Sequence, residues 1–96
     1  MIALTDDTRE RIQALFPQDQ WVTVEEQLIN HAVFERMTAP QWSQLAERVR
    51  FAVLKLSGGD LAALQRQLDE AKIDWRDTLM AAGFGHDTAA HKQWKP

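Results

Sequence analysis

The feature that most constrains the fold of this chain is an apolar helical stripe between residues 40 and 56. Seven residues share one helix face at the i, i+3, i+4 and i+7 spacing: Trp42, Leu45, Ala46, Val49, Ala52, Val53 and Leu56. Phe51 and Leu54 lie off this stripe, and at about 100° per residue Phe51 projects nearly opposite it. Apolar residues on two sides are typical of a helix with neighbours on both. We therefore expect this helix, about 40–56, to be the central spine.

Capping and turn signals divide the rest of the chain into further short helices. The predicted helices cover about 5–16, a segment starting between Asp19 and Thr23, 40–56, about 60–72, and 74–83. The predicted helix starts include Thr5, Ser57 or Asp60, and Asp74, and the predicted ends include Pro17, Gly58-Gly59 and Gly83. The only β-branched cluster, Val22-Thr23-Val24, is too short for a strand. The sequence predicts an all-α, compact bundle of five to six short helices. We expect one domain, 1–96, with residues 87–96 forming a short helical tail.

Composition is that of a soluble globular protein. The chain has 96 residues, 45% of them hydrophobic and 26% charged, with a net charge of −3. A mildly acidic surface suits solubility and is poorly suited to gripping a polyanion. Cysteine is absent, which excludes disulfides, thiolate catalysis and cysteine-ligated zinc.

The sequence has neither the long apolar run of a membrane-spanning helix nor the N-terminal pattern of a signal peptide. The longest apolar run, Ala52-Val53-Leu54, is far short of the roughly 20 residues that a spanning helix needs. The stretch Met1–Asp7 has no basic region and only a short apolar patch, unlike a signal peptide. We expect a cytoplasmic protein that does not contact membranes.

No group of residues has the spacing of a catalytic, cofactor or metal site. His86 and His91 are about 140° apart on a helix, whereas metal-binding pairs prefer i, i+3 or i, i+4, and His31 is remote in sequence. The acidic residues pair as neighbours, so their carboxylates diverge, and phosphate-binding glycine motifs and nucleophile elbows are absent. The sequence therefore predicts a non-enzymatic protein without cofactors.

Surplus apolar residues suggest a contact surface. Phe51, Leu54 and Met80 point away from the main stripes of their helices, and Trp94 lies close to the C-terminus. Their cover is either the chain's own tail or a second molecule. These four residues are the candidate protein contacts, and the leading prediction is a small protein–protein interaction or regulatory domain. Its partner would be another protein or a second copy forming a homodimer.

The alternative is a nucleic-acid-binding regulator with a helix-turn-helix at 61–83. Its recognition helix would begin with Asp74 and Asp77, and carboxylates are unfavourable near phosphates. Arg48, Arg50 and Lys55 cluster on the third helix, where cations also suit the C-terminal dipole. Nucleic acid is therefore not the expected partner. A third possibility is an enzyme whose site assembles from scattered Asp, His and Arg residues.

Overall fold

Helices account for 73% of the residues described by the computed structural model, which are residues 3–96. Met1 and Ile2, the start of the predicted domain and of the segment compared with a signal peptide, lie outside the described residues. The four α-helices are α1 (Asp6–Leu15), α2 (Trp21–Asn30), α3 (Ser43–Ser57) and α4 (Leu61–Ala81). Four 3-10 turns lie at Gln18–Gln20, Ala32–Phe34, Pro40–Trp42 and Ala90–Gln93. Residues 3–96 contain no strand, so the predicted all-α class is confirmed.

Two helices begin at the side chains that the sequence predicts as caps. The hydroxyl of Thr5 accepts a hydrogen bond from the Thr8 amide at 3.2 Å, at the start of α1. The Asp60 carboxylate accepts one from the Ala63 amide at 2.9 Å, at the start of α4. Each cap satisfies a helix-end amide that would otherwise lack a partner.

Two helices end at glycines with positive φ. Gly58 follows α3 at φ 58°, and Gly83 follows the C-cap of α4 at φ 81°. Behind Gly83, the amide of Phe84 donates to the carbonyl of Leu79 at 2.8 Å. This is the Schellman ending that the order of Gly83 and Phe84 predicts.

The predicted count of five to six helices is not confirmed. The segments expected as fourth and fifth helices lie within α4 on either side of Asp74, which leaves helical geometry at φ −153° and ψ 97° and separates two helical stretches. Asp74 still caps locally, because its carboxylate accepts the Arg76 amide at 3.0 Å. The predicted last helix is a single 3-10 turn, Ala90–Gln93.

The start of α3 corrects a second expectation. Trp42 was expected in the core, yet it is 40% exposed. The reason is local: residues Pro40–Trp42 form a 3-10 turn and α3 begins at Ser43, so Trp42 does not follow the phase of the helical stripe. Trp21 and Trp75, by contrast, are half-buried against the core.

Helix α3 occupies the middle of the packed helices. It packs most extensively on α4 and also on α1 and the Ala90–Gln93 turn. Every residue from Val49 to Leu54 is buried, so the centre of α3 is covered on all sides. The Cα radius of gyration is 11.9 Å, close to the roughly 12 Å expected for a single globule of this length.

Candidate protein-binding face

The four predicted contact residues fall into different environments. Phe51 and Leu54 are wholly buried, so neither forms part of the exposed surface of this chain. Trp94 is half-buried and packs against the core. Met80 is 70% exposed. Of the four residues, Met80 is therefore open to solvent and Trp94 is partly so.

The cover over Phe51 is the chain's own end, residues 84–96, named here the C-terminal segment. The Trp94 ring lies 6.3 Å from the Phe51 ring, and the His91 ring lies 5.1 Å from it, both edge-on. Phe84 contacts the same two rings at 6.4 Å and 6.3 Å. Phe51, Phe84, His91 and Trp94 form the aromatic cluster, in which such tilted ring pairs are favourable.

Side chains of α1 and α3 hold the C-terminal segment by its carbonyl groups. Arg11 donates to the Trp94 carbonyl at 3.2 Å and to the Lys92 carbonyl at 3.3 Å. Its guanidinium also lies over the Phe51 ring, 4.5 Å from the centroid. Arg48 donates to the Phe84 carbonyl at 2.9 Å. The segment is thereby attached at both ends.

His91 is the buried titratable group of the aromatic cluster. Its ring is wholly buried, and neither ring nitrogen makes a hydrogen bond with the described residues. The nearest carboxylate oxygen, on Glu47, lies 3.7 Å from Nε2, too far for a hydrogen bond. Burial of the ring disfavours its charged form and lowers the pKa of His91. The Glu47 carboxylate acts in the opposite direction, with a smaller effect.

Glu47 also accepts a hydrogen bond from the Thr5 hydroxyl at 3.2 Å. The order Thr5, Glu47, His91 places the carboxylate between the hydroxyl and the imidazole. A nucleophile–base relay needs the imidazole in the middle, next to the hydroxyl. The arrangement therefore links α1, α3 and the C-terminal segment and does not activate Thr5.

The basic residues of α3 donate hydrogen bonds to backbone carbonyls of the same chain. Arg50 donates to the carbonyls of Leu28 at 3.0 Å and Ala3 at 3.2 Å, and its burial lowers the pKa of Arg50 to about 10 despite the nearby Glu47. Lys55 donates to the Ala82 carbonyl at 2.8 Å. With Arg48 bound to the Phe84 carbonyl, each of these three cations has a backbone carbonyl as partner.

The remaining histidines differ from His91. His31 follows α2, and its Nδ1 accepts the Val33 amide at 3.1 Å while Nε2 lies 2.9 Å from Asp69 Oδ1. This bond is the first cause that lowers the pKa of Asp69. His86 is exposed. Among residues 3–96, no three His, Cys, Asp or Glu side chains come together to hold a metal ion.

The most exposed large apolar side chain of the described residues is Ile73. It is 87% exposed, next to the interruption of α4 at Asp74. It stands between two shallow hollows and forms a border of each, and we call it the Ile73 ridge. The first hollow, of about 310 Å³, is otherwise lined by Gln67, Glu70, Asp74, Asp77, Thr78 and Ala81. The second, of about 430 Å³, is otherwise lined by Ala32, Val33, Glu35, Arg36, Met37, Ala71, Lys72 and Trp75.

The two hollows differ in charge. The first, named here the acidic hollow, is lined by the carboxylates of Glu70, Asp74 and Asp77 and by no Lys or Arg. The second has a mixed lining, with one carboxylate and two cations. Met80 lies further along α4, beside separate hollows next to Arg76 and Gly85.

Ile73 is not among the contact residues predicted from the sequence, although the sequence carries a signal for it. The buried side of α4 runs through Leu64, Leu68 and Ala71, and at 100° per residue Ile73 lies about 200° beyond Ala71. It is an apolar residue between Lys72 and Asp74 on the outer side of the helix. Because a joint between two helices is predicted at Lys72 and Ile73, no helix face is assigned to Ile73.

Comparisons with protein-family models, with curated proteins and with solved structures find no match to this chain. Along the part of the chain that the structure describes, no helix is both long and apolar enough to cross a membrane.

Proposed function

We propose that this chain is a small protein-binding domain that acts without catalysis and binds its partner on the outer face of α4. The observation that carries the proposal is the exposure of Ile73 at the Ile73 ridge, between two hollows. Burying an isoleucine side chain contributes about 1.5–3 kcal/mol to an association. Binding interfaces are organised around a central anchor, an aromatic or aliphatic side chain that fills a pocket of the partner.

The charge of the acidic hollow determines the kind of partner. Three carboxylates beside Ile73 favour a segment that presents an apolar side chain flanked by Lys or Arg. In a two-fold symmetric dimer across this face, the acidic hollow of one copy would face either the same carboxylates or the second hollow, where Glu35 accompanies the two cations. The partner that we propose is therefore a basic amphipathic segment of a different protein.

The test is binding of a fluorescein-labelled synthetic amphipathic peptide with one leucine face and one lysine face, followed by anisotropy. We expect binding that weakens with salt, because rim charges are screened. Ile73→Lys should weaken it at least tenfold. The matched control is Val22→Lys, since Val22 is 65% exposed and borders neither hollow. It should change binding less than twofold.

Three results would contradict the proposal. They are absence of binding to the leucine–lysine peptide, equal binding by the Ile73→Lys and Val22→Lys variants, and equal binding of a leucine–glutamate peptide. Light scattering that shows a dimer of the parent chain, dissociated by Ile73→Lys, would assign the face to self-association instead.

A further inference from the structure

The C-terminal segment has a titratable group at the point where it is packed most tightly. His91 is wholly buried between the rings of Phe51 and Phe84, and no described residue hydrogen-bonds to either ring nitrogen. A charged imidazolium in this position would have an Nδ1–H donor without an acceptor and an Nε2–H donor whose nearest acceptor, on Glu47, is 3.7 Å away, which is costly in an apolar surrounding. The docked position therefore favours the neutral ring.

The charged groups around His91 determine how large this preference is. On α3, Glu47 favours a positive ring, but its nearer oxygen is 3.7 Å from Nε2 and its other oxygen already accepts from Thr5. Arg48 on α3 and Lys92 in the segment itself act in the opposite direction. On α1, Arg11 adds a further cation at the carbonyls of Lys92 and Trp94. Burial and these cations together outweigh the one carboxylate.

We propose that the C-terminal segment is an acid-released cover: uptake of one proton by His91 frees residues 84–96 from α3 and uncovers Phe51. In the free segment the imidazolium is hydrated, whereas in the docked segment it is not. The released segment would leave an aromatic side chain of α3, which is wholly buried in the docked form, open to solvent. The surface that the chain presents to other proteins then depends on pH.

The direction of the effect follows from the two states. The docked ring has a pKa below its ordinary value of 6.5, and the free ring has about the ordinary value. Above about pH 7.5 neither state is appreciably protonated, so docking does not depend on pH there. Each unit below about 6.5 favours release by up to about tenfold, until the docked ring titrates as well.

The experiment is hydrogen exchange of the full chain by NMR at pH 7.5 and pH 5.5, corrected for intrinsic exchange rates. The reporters are the amides of Lys92 and Trp94, which donate to the carbonyls of Ala89 and His91 at 3.1 Å and 3.2 Å. We expect their protection to fall about tenfold at the lower pH. The amides of Leu54 and Leu68, in the buried parts of α3 and α4, should keep theirs.

Substitutions at His91 and at His86 separate this device from a general effect of acid. His91→Phe keeps an aromatic ring without a titrating group and should lose the pH dependence, as should His91→Gln if the first variant folds poorly. His86→Gln, at an exposed histidine of the same segment, should keep it. Three results would each overturn the proposal. The protection of the Lys92 and Trp94 amides could be unchanged at pH 5.5, it could fall equally in His91→Phe, or the amides of Leu54 and Leu68 could lose as much protection.

Discussion

The ring of His91 meets the ring of Phe51 edge-on, with the two centroids 5.1 Å apart. Through this contact the end of the chain covers the second apolar side of α3. Arg11 lies over the same Phe51 ring and holds the backbone around His91. Phe51, one of the apolar residues that the sequence leaves without a cover, is therefore covered within the chain. The two most exposed large apolar side chains of the described residues, Ile73 and Met80, both lie on α4.

Leu68→Ala should lower the free energy of unfolding by about 2–4 kcal/mol, because Leu68 is fully buried and its truncation leaves a cavity. The matched control on the same helix is Ile73→Ala, which removes an exposed side chain and should change stability by less than about 0.5 kcal/mol. Guanidinium chloride melts measure both. Equal losses in the two variants would mean that the buried side of α4 is assigned wrongly.

Arg50→Lys should cost about 2 kcal/mol of stability, since a lysine cannot reach both carbonyls that Arg50 contacts or reproduce the stacking of its guanidinium at 5.0 Å from the Phe34 ring centroid. Arg66→Lys, on the exposed side of α4, serves as the control and should be nearly neutral. Thermal and denaturant melts would reveal the difference. A neutral Arg50→Lys variant would show that these contacts contribute little.

Local chemistry was predictable from the sequence. The caps at Thr5 and Asp60 and the ends at Gly58 and Gly83 depend on residues within one helical turn, and the structure has all four. The all-α class was predictable for the same reason, since short-range periodicity and capping agree along the chain.

Long-range packing was not predictable from the same signals. The Arg11 side chain joins the opposite end of the chain, and nothing within a helical turn of Arg11 indicates that contact. Arg50 was interpreted as a dipole-compatible surface cation, although it shares a helix face with Ala46 and Val53, which are buried. For His91 the only sequence signal was its spacing of three from Trp94. Arg11, Arg50 and His91 gain their contacts only when the tertiary structure forms.

Gly59→Ala should destabilise the protein by at least about 1 kcal/mol more than Gly58→Ala. Both glycines have positive φ, so each substitution carries the strain of a left-handed residue, about 1 kcal/mol. At Gly59 a Cβ would also lie 2.5 Å from the carbonyl oxygen of Leu15, whereas at Gly58 it meets nothing within 4 Å. If denaturant melts gave equal losses, the close approach of the α3–α4 turn to the end of α1 would be in doubt.

Arg11→Lys should loosen the C-terminal segment at neutral pH. A lysine keeps the charge but loses the forked contact with the carbonyls of Lys92 and Trp94 and the stacking on Phe51. Exchange of the Trp94 amide at pH 7.5 should rise by about tenfold, equivalent to about 1.4 kcal/mol. Arg9→Lys is the control, because Arg9 is on the exposed side of α1, 3.3 Å from Glu25. If the exchange rate of the Trp94 amide were unchanged in Arg11→Lys, Arg11 would not contribute to holding the C-terminal segment.

The most direct test of the proposed function is a chemical-shift map of the isotope-labelled chain titrated with the leucine–lysine peptide. We expect the largest changes on residues 67–78, around Ile73 and the acidic hollow, with smaller ones at the second hollow. The exposed Val22 on α2 should not respond. Changes centred on Val22 or Trp42, or no saturable change at any residue, would contradict the claim that the outer face of α4 binds the partner.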